Sequence, residues 1–171
     1  YLLEIPNNEV AEEFQRLTLN YLNKDYDTFT MMIRGLYDKE PSEFLKNYQS
    51  FLLGSTSYHD LISENSYHTL LLGMCACLYA DYEVKSNRED GKGRYDIVLQ
   101  SKTDKYPSYI IELKYLKKEE YDKHPELLKE KCEEALQQIE TNRYDVTLHG
   151  QVIHIALAHS GKDVEMLWKK A

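Results

Sequence analysis

The stretch GKGRYDIVLQSKTDKYPSYIIELKYLK, residues 91–117, places two apolar runs on either side of a polar link, and each run carries a charge that does not belong to an ordinary core strand. Asp96 stands inside the first, strand-like run, and the second ends on Glu112, Leu113 and Lys114. An unpaired charge in a buried strand costs several kcal/mol, so such residues call for a partner or a metal. Residues i and i+2 of a strand share a face, which points Glu112 and Lys114 the same way and Leu113 the other. The link KTDKYP is polar and contains Pro107, as a hairpin loop would, and a hairpin can bring the Asp96 carboxylate beside Glu112. Two carboxylates with the Leu113 backbone carbonyl between them make a hard-oxygen site suited to Mg²⁺ or Mn²⁺.

Outward from this pair, the pattern changes period. On the N-terminal side YEVKSNRE reads as a further short strand, so that three adjacent antiparallel strands are expected. Before it, SENSYHTLLLGMCACLYA opens on Ser63 as a helix cap and stays apolar on nearly every side to Ala80, which predicts a buried helix. Earlier still, Val10, Phe14, Leu17 and Tyr21 recur at helical spacing, as do Phe29, Met32, Ile33 and Leu36, and Pro41 suits the first turn of another helix. Residues 1–58 therefore read as a helical extension, and 59–171 as the domain that carries the site. On the C-terminal side Leu127, Leu128, Cys132, Ala135, Leu136 and Ile139 mark one side of an amphipathic helix. QVIHIALAHS and DVEMLW then supply two strands around a turn at Gly161.

Bulk properties narrow the classes. The 171 residues suffice for one domain with a real core, burying about 70% of the unfolded surface. A formal net charge of −8 excludes a surface that holds nucleic acid by basic charge alone; cations or another domain must help. The three cysteines, Cys75, Cys77 and Cys132, are too few and too poorly spaced for a disulfide framework or a four-ligand zinc site, and read as reduced thiols in the cytoplasm. LLLGMCACLYA is about half of the roughly 20 residues that a membrane span needs, so no membrane partner is expected. The chain opens on Tyr1 rather than Met, which points to a piece of something longer.

The order helix, three strands, helix, strand, with Asp96 on the second strand and Glu112-x-Lys114 on the third, resembles the PD-(D/E)XK nuclease superfamily over about residues 60–170. More narrowly, ENSYH, SNREDGKGRYDIVL, IIELK and ALQQIETNRY look like the nuclease-like domain that follows an AAA-ATPase-like domain in a large family of bacterial proteins. The resemblance implies an α/β (α+β) fold with a restriction-endonuclease-like core, a central mixed sheet flanked by helices in the order αβββαβ, after the N-terminal helical extension. It implies a Mg²⁺- or Mn²⁺-dependent nuclease acting on DNA, less readily on RNA, with an AAA-ATPase-like domain in the same full-length chain. Carried over, Asp96, Glu112 and the Leu113 carbonyl hold the metal and Lys114 is the catalytic lysine. Glu64 is an additional acid, and Gln138 is a glutamine near the site, with Gln137 the alternative if the register shifts by one. Tyr144 is an accessory position on the same grounds, while His68, four residues after Glu64 on one helix face, is close enough to share a ligand with it or simply to pair. The proline that usually precedes the aspartate is replaced by Tyr95. The competing class is a catalytically silent module that keeps the nuclease fold for interaction or regulation beside an ATPase domain.

Overall fold

The apolar central runs become a five-stranded mixed sheet whose inner strands are buried on both faces, seen in a computed structural model that describes residues 26–55, 61–86, 89–90, 93–142 and 148–171. The helix expected around Val10 to Tyr21 and the position of Tyr144 lie outside the described residues. Helices α1 (Tyr26–Tyr37), α2 (Pro41–Ser55) and α3 (Glu64–Cys75) come first, α3 passing into a 3-10 turn over Ala76–Ala80 rather than staying α-helical to its end. Strand β1 (Tyr82–Ser86) follows, then a separate two-stranded ribbon of β2 (Glu89–Asp90) and β3 (Gly93–Arg94). Strands β4 (Ile97–Ser101) and β5 (Ser108–Tyr115), the short helix α4 (Lys118–Tyr121), the long helix α5 (Leu127–Asn142), and strands β6 (Val152–Ser160) and β7 (Asp163–Lys170) complete the chain.

The sheet order is β1-β4-β5-β6-β7, with β5 and β6 parallel and the other neighbours antiparallel. The expected three antiparallel strands are therefore β1, β4 and β5. The parallel step from β5 to β6 needs a crossover, which α4 and α5 supply. The β6–β7 hairpin turns on Gly161, whose φ of 58° is natural for glycine and matches the twist of the flanking strands.

Each face of the sheet buries one half of the alternating residues. Ile97, Leu99, Tyr109, Ile111, Leu113, Ile153, Ile155 and Leu157 pack with α1, α2 and α3 in the larger core. Val98, Ile110 and Val152 meet Ile139 of α5, while Ala156 and Ala158 lie under Leu128, Cys132 and Ala135. The two alanines are small enough for α5 to sit close over β6. Helices α1 and α2 bury Phe29, Met32, Leu36, Phe44, Tyr48, Phe51 and Leu52 in the same core as the sheet.

The α1–α2 corner depends on Gly35. A Cβ there would stand 2.6 Å from the Phe44 backbone nitrogen, too close for any atom, and the obstacle is main chain rather than a movable side chain. Gly35→Ala should therefore cost about 1–3 kcal/mol in urea unfolding despite alanine's better helix propensity. An unchanged or raised midpoint would show that the corner opens freely.

Candidate active site at the end of strands β4 and β5

The β4–β5 pairing sets Ile97 opposite Ile111, and one more step of the same register sets Asp96 across from Glu112. Asp96 is not inside the strand, as its sequence surroundings suggest, but at a bend just before β4. The bend frees its side chain from the ladder, and Asp96 Oδ2 accepts a hydrogen bond of 2.8 Å from the Leu113 N–H. In an extended strand the N–H and C=O of one residue point to the same edge, so the Leu113 carbonyl is aimed to the side where Asp96 stands.

Glu112 is 2% exposed, an unusual place for a carboxylate. Its Oε1 accepts from Lys114 Nζ at 3.2 Å and from Gln138 Nε2, which reaches over from α5. Its Oε2 is buried and, among the described residues, has no hydrogen-bond partner. Burial, followed by the charge of Asp96, pushes the Glu112 pKa up to about 7, with Lys114 opposing both. An orphaned, buried carboxylate oxygen beside a second carboxylate is a position that a cation would satisfy.

Glu64 opens α3, directly after Ser63, whose Oγ caps the helix by accepting from the Ser66 N–H. The residue is exposed as a whole, while its carboxyl group is partly shielded from water. That shielding raises its pKa, Lys114 opposes the rise, Asp96 adds to it, and the Tyr115 backbone N–H opposes it again. Glu64 thus belongs to the same electrostatic cluster as Asp96, Glu112 and Lys114. One turn on, the buried His68 places Nε2 2.9 Å from Ser86 Oγ and 3.2 Å from the Asp96 carbonyl oxygen. It ties the end of β1 to the bend that aims Asp96.

The fold therefore brings Asp96, Glu112, Leu113, Lys114, Glu64, His68 and Gln138 to one end of the sheet. The choice between Gln138 and Gln137 is made by the helix phase: Gln138 meets Glu112, and Gln137 is exposed. Ser86 was missed because a serine that ends a short strand carries no signal of its own. Among the described residues no three His, Cys, Asp or Glu side chains stand together in a way that could hold a metal ion alone. The donor set that fits a hard cation is the two carboxylates plus the Leu113 carbonyl, with water or substrate oxygen completing the shell, as Mg²⁺ favours.

Comparison with curated proteins finds no significant match. A family model described as the PD-(D/E)XK nuclease superfamily matches residues 62–169, more than half of the 171-residue chain, and spans α3, α5 and all but the last residue of the sheet. Members of that superfamily are generally dependent on divalent metals. With a five-stranded mixed sheet flanked by helices and the Asp96, Glu112-x-Lys114 pattern at one end of it, the chain belongs to the PD-(D/E)XK nuclease superfamily.

Proposed function

We propose that this chain hydrolyses phosphodiester bonds of DNA, with RNA the less favoured substrate, using Mg²⁺ or Mn²⁺. The observation that carries the reading is Glu112: buried, bonded through one oxygen only, and set across from a second carboxylate. Asp96, Glu112 and the Leu113 carbonyl would hold the cation. When bound, it supplies Lewis-acid polarisation of a phosphoryl oxygen and a more acidic water.

The protein's own groups do the rest. Gln138 and Lys114 fix the Glu112 rotamer by holding Oε1, which leaves Oε2 for the cation. Lys114, whose side chain is 20% exposed, can donate to the attacking water or to charge developing on the phosphoryl oxygens. Glu64, with its pKa raised, is placed to hold or pass a proton beside Lys114. His68 and Ser86 restrain the bend that aims Asp96.

The formal charge of −8 repels a polyanion, which supports a substrate grip supplied in part by another element, such as an AAA-ATPase-like domain in the same full-length chain. Among the described residues no helix is long and apolar enough to cross a membrane. The thiols of Cys75, Cys77 and Cys132 are free and pushed up by burial, in keeping with a reducing compartment such as the cytoplasm.

A second reading, a nuclease-fold module without catalysis, draws on one observation: Asp96 Oδ2 already accepts a hydrogen bond from the Leu113 N–H, which gives this carboxylate a structural role in holding the bend. Incubation of the protein with linear, circular and single-stranded DNA plus Mg²⁺ or Mn²⁺, beside Glu112→Ala, separates the two. Cleavage that disappears in Glu112→Ala supports the nuclease. Absence of both cleavage and Glu112-dependent Mn²⁺ binding by calorimetry supports the silent module.

A further inference from the structure

Under the end of the sheet that bears the site, on the face opposite Gln138, four rings from four elements line up. Tyr48 of α2 is wholly buried and its hydroxyl lies 2.9 Å from His159 Nε2, the two rings meeting edge-on at 5.7 Å. His159 of β6, also wholly buried, stacks on Tyr67 of α3 with centroids 4.2 Å apart and planes 21° apart. Tyr67 in turn leans on Tyr115 of β5 at 6.0 Å. Tyr67 is itself locked at its far end, its hydroxyl donating to the Gly161 carbonyl at 2.6 Å.

The two elements joined at the middle and end of this column, α3 and β5, both carry site residues. Helix α3 opens on Glu64, three residues before Tyr67. Tyr115 directly follows Lys114, and its N–H is the group that faces the Glu64 carboxyl. His159 is the register partner of Tyr115, and its carbonyl accepts the Leu116 N–H at 2.8 Å. Among the described residues its buried Nδ1 has no hydrogen-bond partner, and the Lys114 backbone lies close to the imidazole. Burial keeps this imidazole neutral, with a pKa near 3, so it acts through packing and hydrogen bonding rather than charge.

We propose that the column Tyr48–His159–Tyr67–Tyr115 positions Glu64 and Lys114 relative to each other, which makes the α1–α2 pair part of the scaffold of the site. The proposal rests on reading Glu64 and Lys114 as site residues. The four act as positioning residues, and Tyr48, Tyr67 and His159 are fully buried.

Tyr48→Phe keeps the ring and removes only the hydroxyl, and it is read first in the metal-free protein by residue-resolved amide exchange. The expected result is exchange about 10-fold faster at Tyr115 and Leu116, as loss of one buried hydrogen bond allows, with Val98 and Ile110 of the same sheet unchanged. A uniform rise across the sheet, or no change at Tyr115 and Leu116, overturns the proposal. The second reading is Mn²⁺ affinity in double-mutant cycles. Tyr48→Phe should be non-additive with Glu64→Gln by about threefold or more, and additive with Gln138→Ala, which acts from the opposite face. Additivity in both cycles also overturns it. A parent protein that binds no Mn²⁺ sinks the metal reading of the site but leaves the exchange result to decide the column.

Discussion

If the proposed site is right, Lys114→Ala should retain Mn²⁺ binding at pH 8 yet lose DNA cleavage by about 10²–10³-fold, whereas Asp96→Ala should lose both. The split follows from where the two side chains stand. Asp96 faces Glu112 across the register and supplies the second carboxylate of the proposed cation site, so its removal would take away a proposed ligand. Lys114 is bound to the other oxygen of Glu112 and contributes only a positive charge and a donor. The pH matters, because Lys114 lowers the pKa of Glu112; without it the carboxyl protonates more readily, and a titration near neutrality would confuse a lost proton acceptor with a lost ligand. Calorimetry and a cleavage time course on the same preparations read the two effects apart. Asp96→Ala cutting DNA at the parent's rate would remove the metal assignment.

Glu112→Gln should make the metal-free protein more stable at pH 8, by about 2–4 kcal/mol, and by less than about 1 kcal/mol at pH 5. The sign comes from the direction of the shift. Burial and the neighbouring Asp96 raise the folded-state pKa of Glu112 from 4.5 to about 7, so the fold binds this proton more tightly than the unfolded chain does. Its contribution is fully favourable below the unfolded value and is lost as pH rises through about 7, where the fold must accept a buried charge. A neutral amide of the same shape avoids that cost. Saturating Mn²⁺ should reverse the order, since only the parent then gains binding free energy. Denaturant unfolding at the two pH values, with chelator and with Mn²⁺, checks all of this. A variant less stable than the parent at pH 8 without metal would mean that Glu112 is satisfied in a way its single-sided bonding does not show.

Much of the architecture was legible because the chain's periods are clean. The switch from helical spacing before Ala80 to alternation after Tyr82 located α3 and the first strands, and Leu128, Cys132, Ala135 and Ile139 located the buried side of α5. Where several contacts compete, the boundaries moved. The run around Asp96 divides into a ribbon strand, a bend and β4, because the Asp96 side chain takes a hydrogen bond from Leu113 that an uninterrupted strand would not permit. The continuous helix expected to Ala80 tightens to a 3-10 turn after Cys75, next to the strand that Tyr82 begins.

By itself, the sequence determined the chemistry on offer: which side chains interrupt the apolar strands, that Glu112 and Lys114 share a face, and that the two halves of the hairpin bring Asp96 near them. These are local properties, dictated by the two-residue repeat of a strand and the short link between β4 and β5. Tertiary structure alone decided which oxygen of Glu112 is left without a partner, that Gln138 rather than Gln137 reaches it, that His68 and Ser86 hold the bend, and that Tyr48 lies beneath Lys114 through His159. Each of these depends on the distance between elements far apart in the chain, 26 residues for Gln138 and Glu112 and 111 for Tyr48 and His159. Such distances are set by how the helices pack on the two faces of the sheet, and no periodicity along the chain encodes them.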